Sequence, residues 1–576
     1  MARTARKIFR NKYGWIILLP LLAMVNYLAS DFHARLDLTK EKRYTLSKPT
    51  RELLENLEED VQIDVFLKGD FPAGFRKLAN STTEFLRLLK DRTGKIKYRF
   101  ISPLDEMPGT RAIYADSLLS LGAVPINLTV QKKEGQSSNI IFPVAVMRYK
   151  DRQAMVNLYP GASNRISQDE INSAEALMEY QFVNALDKLT RTKVPTILYA
   201  TGNGEITDSY RVYDLENSLI KDYRFGPFDI NRNPIPAEVD VVMIVKPTIP
   251  FTEEQKFNID QFVMRGGKLL CFIDNLIAEQ DSLVYKPETI AYDRNLNLTD
   301  LFFRYGLRIN TDLVMDLQCE HIPLVVGGTA DNPQFEFLRW NYFPLFATGK
   351  NKLISKSMGY VGGRFVNSMD TIQVAGIEKN VILFSSPNSR IISTPALISL
   401  NENRNVPEDE KFKQNAIPTG IMLEGKFSSL YKNRVSKTQL DTLAARGAAF
   451  LGNSVDNKII VVADGDMVLN DFTPEGPLPM GWNRYTYREY QNQTDAGKLF
   501  IPVTNKEFLL SCVEYLVNNP AIFATRNKDI VLRLLNSKKV NEQRIRWQVI
   551  NIALPILLVV LFGLGYQQVR KRKYAA

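Results

Sequence analysis

Acidic and amide side chains follow three apolar stretches of the sequence, each with the pattern of a buried strand. The stretches lie within the predicted strands PTILYA (195–200), GKLLCFID (267–274) and NKIIVVADGDMV (457–468). In open α/β sheets, ligands bind outside the carboxyl ends of the parallel strands. If the three strands are neighbours, their loops form one acidic, amide-rich crevice that suits a sugar-like or cationic ligand. The alternative is that glycine and asparagine make turns while the acids cap helices. The predicted ligand-binding residues are Gly202, Asn203, Gly204, Glu205, Asp274, Asn275, Asp464 and Asp466.

Nucleophilic and metal-ligating side chains are few, with three cysteines and two histidines in 576 residues. Cys271 lies inside an apolar strand and lacks the glycine-flanked elbow of a catalytic cysteine. Cys319, Glu320 and His321 form a compact cluster, in which simple alternation along an extended segment turns Cys319 and His321 the same way. Only two good metal ligands are local there. No phosphate-binding G-x-x-x-x-G-K-[ST] motif occurs, so this chain is not an ATPase. We expect no catalytic residues, no metal and no cofactor.

The elements that position the three loops have an alternating strand and helix pattern from Lys193 onward. Continuous apolar strands, which include VDVVMIV (239–245), are buried on both faces, and this predicts a doubly wound parallel sheet. A helix is predicted over Thr252 to Arg265, with Thr252 and Gln255 as a capping box. The stretch 285–450 is rich in asparagine, proline and glycine and is interpreted as an insertion, although KNVILFSS within it resembles a strand.

The region before Lys193 predicts a smaller α/β domain. Ser47 before a proline is a helix N-cap signal, and VQIDVFL (61–67) alternates as a strand does. A helix at 84–90 and a strand at 96–102 complete a parallel β-α-β unit. Further strands are predicted near 124–130, 140–149 and 154–158. The remaining predicted helices are Glu170–Leu189, Phe508–Val517 and Asn527–Leu535.

Basic residues collect at the two ends of the chain. The formal net charge is +10, but nine of the 73 lysines and arginines lie in the two tails, which leaves 64 against 63 acids. A near-neutral body lacks the basic surface that nucleic acid requires. Each basic tail adjoins an uncharged apolar span, Tyr13 to Ser30 and Trp547 to Val569. A cleaved signal peptide is the alternative for the first span. The positive-inside rule then places both termini in the cytoplasm and roughly 500 residues outside it.

Five stretches together resemble the GldG family of gliding motility-associated ABC transporter proteins, within the wider ABC-type auxiliary transport family. They are RYTLS (43–47), the helix at 171–189, TGNGE (201–205), the block at 251–275 and the ending at 544–575. The resemblance implies a thioredoxin-like domain followed by a domain similar to class I glutamine amidotransferases. It also implies a multi-span permease and, through it, a cytoplasmic ATPase as partners.

The expected organisation has four parts. The first tail and span (1–30) precede an N-terminal α/β domain (31–190). The amidotransferase-like domain with its insertion (191–530) follows, and the chain ends in the juxtamembrane helix, second span and tail (531–576). The expected function is that of a non-catalytic accessory subunit at the inner membrane, with a periplasmic ectodomain. A ligand-binding receptor is the alternative. A residual hydrolase or amidotransferase is the third reading, and the missing elbow and scarce histidines oppose it.

Overall fold

The computed structural model divides the chain into two compact units, Met1–Lys528 and Asp529–Ala576. The structure describes residues 20, 23–24, 45–69, 71, 73–109, 111–132, 135–160, 168–329, 331–347, 354, 358–402, 409–445, 447, 449–485, 487, 503–527 and 537–574. The predicted first span therefore falls outside the described residues except at three helical positions. The predicted helix at 527–535 also falls outside them except at its first residue.

The first described region is a four-stranded sheet with helices packed against it. Ser47 accepts the backbone N–H of Thr50 and so begins the first helix, as the N-cap signal predicts. Strands β1 and β2 are parallel, which confirms the predicted β-α-β unit, whereas β5 and β6 are antiparallel, giving the order β2-β1-β5-β6. The elements are α1 (Lys48–Glu55), β1 (Val61–Val65), α2 (Ala73–Arg92), β2 (Ile96–Phe100), α3 (Tyr114–Ser120), β3 (Ile126–Lys132), β4 (Gly135–Ile141), β5 (Val144–Tyr149), β6 (Arg152–Asn157) and α4 (Gln168–Thr190).

A seven-stranded sheet forms the centre of the next region, in the order β19-β22-β23-β10-β9-β7-β8. The five strands from β23 to β8 are parallel, as predicted. The first elements of this region are β7 (Thr196–Thr201), α5 (Tyr213–Leu219), β8 (Arg224–Asp229), β9 (Val241–Val245), α6 (Glu253–Met264) and β10 (Lys268–Phe272). The later ones are β19 (Ile377–Phe384), β22 (Pro418–Ser428), α9 (Lys437–Ala445), β23 (Asn453–Val462) and α10 (Asn505–Val517).

The prediction of a wholly parallel sheet was incomplete. Strands β19 and β22 extend the sheet in antiparallel orientation, and both come from the stretch interpreted as an insertion. Their apolar runs show burial but carry no information about strand direction, so the sequence pattern did not distinguish them from strands of a separate subdomain.

Helices cover both faces of the seven-stranded sheet. Alternate residues of the central strands belong to two apolar cores, one shared with α5 and α10 and the other with α6. This two-sided burial explains why the strands are continuously apolar. Helix α6 begins with the predicted capping box, since Thr252 accepts from Gln255 and the Gln255 side chain bonds back to Thr252.

The rest of the chain between Leu276 and Ser399, most of it within the stretch 285–450, folds mainly into small sheets around a third core that contains Trp340 and Phe365. Its longest pair is the β15–β16 hairpin, which also pairs with β17. Its elements are β11 (Leu276–Ile277), α7 (Ser282–Tyr285), β12 (Glu288–Asp293), α8 (Thr299–Tyr305), β13 (Leu307–Ile309), β14 (Asp312–Asp316), β15 (Cys319–Thr329), β16 (Asn332–Phe346), β17 (Val361–Gly362), β18 (Met369–Thr371), β20 (Ser389–Ser393) and β21 (Ala396–Ser399). A two-strand ribbon, β24 (Phe472–Thr473) with β25 (Gly476–Pro477), and the short helix α11 (Pro520–Phe523) follow later in the chain.

The second unit is described as one long helix, α12 (Ser537–Tyr574), which contains the predicted span from Trp547 to Val569. Within the residues described, Gln543–Arg572 is long and apolar enough to cross a membrane, and no part of its most apolar window is buried in the structure. Pro555 lies inside this helix.

Candidate functional site: a charged cluster at the carboxyl edge of the sheet

The carboxyl ends of the parallel strands meet at one edge of the seven-stranded sheet, where most of the predicted site residues lie. Asp274 follows β10, while Asp464 and Asp466 follow β23, the strand next to it. Lys246 follows β9, the neighbour of β10 on the other side. The structure therefore brings three of the predicted carboxylates to one place, around a lysine that the sequence analysis missed.

Lys246 is the centre of this cluster. Its side chain is 2% exposed, and its Nζ lies 2.6 Å from Asp466 Oδ2, 2.9 Å from Glu279 Oε2 and 3.2 Å from Asp274 Oδ2. Arg294 donates to the other oxygen of Glu279 at 2.8 Å. We call these five residues the lysine cluster. Its ammonium has carboxylate oxygens on three sides.

The backbone holds the lysine cluster tightly. The N–H of Lys246 donates to the Phe272 carbonyl at 2.8 Å, so the lysine continues the ladder between β9 and β10. Gly465 follows β23, and a Cβ at Gly465 would lie 2.6 Å from the Cβ of Lys246. The small residue in Asp464-Gly465-Asp466 is therefore required by the close approach of the two loops. The Gly465 N–H donates to Asp274, which fixes that carboxylate as well.

Burial and neighbouring charges shift the pKa values of these carboxyl groups in different directions. Burial raises the pKa of Asp274 to about 6. Burial and the nearby carboxylates raise the pKa of Asp464, which is fully buried and accepts the N–H groups of Arg364 and Met467. Burial also opposes the charge of Asp466, but Lys246 and Arg364 outweigh it and lower that pKa. Lys246 stays charged, because its three carboxylates outweigh burial and raise its pKa.

The loop Gly202–Glu205 after β7 lies beside the loop after β9, a few residues from Lys246. The Asn203 carbonyl accepts the N–H groups of Thr248 and Ile249 at 2.8 Å each. The Asn203 side chain, 1% exposed, exchanges hydrogen bonds with the Gln255 amide at 3.1 and 2.9 Å. In chain order, β8 is placed on one side of β7 and β9 on the other, which makes this gap the switch point where open sheets bind ligands. Here the chain's own side chains fill it.

Two glycines allow this loop its tight course. Gly202 and Gly204 have φ values of +119° and +77°, which residues with a Cβ rarely adopt. A Cβ at either position would also overlap the side chain of Asn231 or Thr248. Both glycines therefore adopt turn conformations, as the alternative interpretation of the sequence expected.

Glu205 differs from the other carboxylates of the edge. It is 7% exposed, and one oxygen accepts the Asn203 N–H at 2.7 Å while the other has no hydrogen-bond partner among the described residues. Burial raises the pKa of Glu205 to about 7. Asn275 makes other contacts: its backbone N–H donates to the Asn367 side chain at 2.9 Å, and its side-chain amide lies 3.5 Å from the Ile309 and Asn310 carbonyls. The ligand-binding role of the eight residues stays a prediction.

The residues that sequence reasoning missed are Lys246, Glu279, Arg294 and Arg364. Lys246 carried a usable signal, since it ends the apolar stretch VVMIV as Asp274 ends its own stretch. The other three follow the short strands β11, β12 and β17, which lack a continuous apolar pattern in the sequence. Their contacts depend on how the later region of the chain folds onto the sheet edge.

The thiols and the histidine are unsuited to the chemistry that was considered for them. Burial raises the pKa of the Cys271 thiol to about 12 and also raises the pKa values of Cys319 and Cys512. A bulge between Cys319 and His321 interrupts the alternation on which a shared orientation depended. Within the described ranges, no group of three or more acidic, histidine or cysteine side chains is arranged to hold a metal ion.

The region that contains this edge of the sheet matches a known protein family. Residues 194–496, just over half of the chain, match the model of the ABC-type uncharacterized transport system family. The chain belongs to this family. Residues 40–148 match a domain of unknown function, DUF7088. The family is an auxiliary component of ABC transport, so the coarser part of the predicted resemblance is confirmed.

One relative and one solved structure are also similar to this chain. An uncharacterized protein of Borreliella burgdorferi is 21% identical over 568 residues, which cover 94% of each chain. A solved structure described as the mmIFT52 N-terminal domain is 13% identical, with a TM-score of 0.30, and the match covers 58% of this chain and all of that one.

Proposed function

We propose that the chain is a non-catalytic accessory subunit of an ABC transporter, which couples or scaffolds the complex outside the cytoplasmic membrane. In this proposal both ends of the chain are anchored, the folded part faces the periplasm, and the transporter serves gliding motility. The partners are a multi-span permease and, through it, a cytoplasmic ATPase. Membership of the transport family supports the general role, and the resemblance to GldG motivates the link to gliding.

Helix α12 is the observation that carries the proposal. One chain contains the family domain and a 30-residue helix, Gln543–Arg572, that is long and apolar enough to span a membrane. Arg570, Lys571 and Arg572 follow its apolar part, as expected on the cytoplasmic side. A protein held in the bilayer meets other spanning proteins by lateral diffusion, which suits a permanent subunit better than a diffusing carrier.

The lysine cluster supports an accessory role over a receptor for cationic ligands. A bound cation would need the carboxylates of Asp274 and Asp466, but the Lys246 ammonium already contacts both. The switch-point gap is filled in the same way by Asn203 and Gln255. Binding a ligand at either place would first require these hydrogen bonds to break, at a cost of about 1–3 kcal/mol for each buried group left unpaired.

The proposal is tested by purifying the full chain from its native membranes through a tag at the C-terminus. We expect an ABC permease with several spans, and its ATPase, to be recovered in constant ratio to the tagged chain. A chain lacking residues 537–576 is the matched control and is expected to lose the permease. Recovery of the chain without any permease under mild detergent would overturn the accessory role.

A second measurement separates the receptor alternative. In the combined variant Glu205→Gln, Asp274→Asn and Asp466→Asn, the carboxylates that would bind a ligand are neutral. An accessory subunit that still folds is expected to retain the permease in this variant. Saturable binding of a sugar or a cation to the wild-type chain, lost in the variant, would favour the receptor instead.

A further inference from the structure

Between Gln548 and Leu564, the polar residues, the proline and the glycine of α12 lie on one side of the helix, and Tyr566 follows on the same side, whereas Gly565 lies off it. At about 100° per residue, these residues other than Gly565 lie within about 60° of one line along the helix, next to three apolar residues. We call this side the polar face, and it consists of Gln548, Asn551, Pro555, Gly563 and Tyr566. The opposite side carries only valine, isoleucine, alanine and leucine from Val549 to Leu564 and is called the aliphatic face.

Asn551 carries two polar groups at the polar face, its backbone carbonyl and its side-chain amide. Pro555 has no N–H, so the carbonyl of Asn551, four residues earlier, lacks its usual donor within the helix. The Asn551 side-chain amide lies at the same level and is exposed. Trp547, one turn earlier, is the kind of residue that marks the membrane interface, which places Asn551 just inside the apolar layer. An unsatisfied polar group there costs several kcal/mol.

The aliphatic face has the composition of a surface that contacts lipid. The polar face has the composition of an interface between spanning helices, where small residues permit close approach and amides bond across the contact. Gly563 adds to this, because its position offers no side chain to keep a neighbouring helix away. The two faces therefore have different surroundings in the membrane.

We propose that the polar face of α12 packs against a spanning helix of the permease, and that this helix presents a hydrogen-bond donor at the level of Asn551. This group donates a hydrogen bond to the Asn551 carbonyl, for which Pro555 supplies no N–H. The Asn551 side-chain amide bonds to the same permease helix. This proposal rests on the accessory role proposed above and names its contact surface.

The basic end of α12 favours a permease helix over a second copy of the chain as the partner of the polar face. Two copies joined in parallel through the polar face would bring two sets of Arg570, Lys571 and Arg572 side by side. Like charges at such short distances repel. A permease helix with a neutral or acidic cytoplasmic end has no such penalty.

Site-specific photo-cross-linking in native membranes tests the proposal. A photoreactive amino acid replaces one residue at a time, Ile552 or Val559 on the polar face and Ile550 or Leu557 on the aliphatic face, which leaves Asn551 and Pro555 intact. We expect the two polar-face positions to label an ABC permease, identified by mass spectrometry, several times more strongly than the two aliphatic-face positions. Stronger labelling from the aliphatic face, or adducts made only of this chain, would overturn the proposal.

A substitution tests the hydrogen bond itself. Asn551→Leu is expected to retain about three- to twentyfold less permease after washing in detergent, the range for one interhelical hydrogen bond. Asn551→Gln is expected to retain more than Asn551→Leu, and Ala553→Leu, which adds bulk on the aliphatic face, is expected to match the wild type. Equal recovery with Asn551→Leu and the wild type would contradict the role of the amide.

The outcomes separate the two proposals. If the permease is recovered with the wild type but labelled from the aliphatic face, the accessory role stands and the contact surface is wrong. If no permease is recovered with the wild type, the accessory role itself fails.

Discussion

Lys246 Nζ lies 2.6 Å from Asp466 Oδ2, and this contact joins the loop after β9 to the loop after β23 across the intervening strand β10. Both side chains are almost fully removed from solvent. The ion pair therefore closes the edge of the sheet at which open α/β folds usually bind ligands.

Replacing Lys246 with methionine is expected to destabilise this edge by about 3–5 kcal/mol, because it leaves buried carboxylates without their cation. Hydrogen exchange of the β9 and β10 amides measures the effect locally. Lys286→Met removes an exposed lysine and is expected to change the free energy of opening by less than about 0.5 kcal/mol. The double variant Lys246→Met with Asp466→Asn is expected to recover part of the loss. Unchanged exchange in Lys246→Met would show that the cluster contributes nothing to stability.

Glu205 is expected to make the fold less stable as the pH rises. Its pKa in the folded chain is about 7 because the carboxyl group is buried, whereas an unfolded glutamate has a pKa near 4.3. Between these values the folded state holds a proton that the unfolded state has released, so stability is complete below about pH 4.3 and falls as the pH rises to about 7.

The Glu205→Gln variant tests this dependence. At pH 8 it is expected to be more stable than the wild type by up to about 3 kcal/mol, and near pH 4 the two are expected to converge. Thermal unfolding of the full chain at several pH values measures the difference. Glu238→Gln, at an exposed position, is the control and is expected to follow the wild type throughout. A constant offset between Glu205→Gln and the wild type would contradict the assigned pKa.

Asn203 is expected to be essential to the contact between the loops after β7 and β9. In Asn203→Ala, Gln255 loses two of its side-chain hydrogen bonds but keeps those to Thr252 and Asn231. The Pro250 carbonyl also loses the Asn203 donor, and the expected cost is about 1–3 kcal/mol. Asn217→Ala removes an exposed asparagine whose side chain bonds, among the described residues, to the Tyr213 carbonyl on its own helix, and it is expected to cost less than about 0.5 kcal/mol. Hydrogen exchange at Thr248 and Ile249 distinguishes them, and equal protection in both variants would count against this role.

Much of the fold follows from patterns that are local in the sequence. The capping box at Thr252 and the continuous burial of VVMIV each depend on a few neighbouring residues, and both are seen. The direction of β19 and β22 was missed because an apolar strand has the same pattern in either direction. Where an element pairs is decided by distant residues.

The candidate site shows the same division. Asp274, Asp464 and Asp466 were predicted to converge because parallel strands end at one edge, and they do. Glu279 and Arg294, which complete the lysine cluster, lie in a segment of short irregular elements. A sequence pattern does not indicate that such a segment folds back over the sheet edge.

Glu514 is expected to hold α10 against α4 through a buried set of hydrogen bonds. It accepts from Tyr180 at 2.6 Å, Asn184 at 2.7 Å and Lys188 at 2.8 Å. Burial opposes its charge, but Lys188 and the other donors outweigh it and lower the pKa of Glu514. Its contribution is therefore present at neutral pH and is lost as the pH falls through the lowered pKa.

The Glu514→Gln variant removes the charge that Lys188 contacts, while Asp222 remains 2.6 Å from the same ammonium. Because one partner remains, the expected loss is about 2–3 kcal/mol at pH 7, near the upper range for hydrogen bonds to charged groups. Glu84→Gln removes an exposed ion pair with Arg87 and is expected to cost less than about 1 kcal/mol. Since α4 leads directly into the segment 191–195, loosening of its end is expected to speed tryptic cleavage after Arg191 and Lys193. Cleavage at the wild-type rate in Glu514→Gln would show that the apolar contacts between α4 and α10 are sufficient.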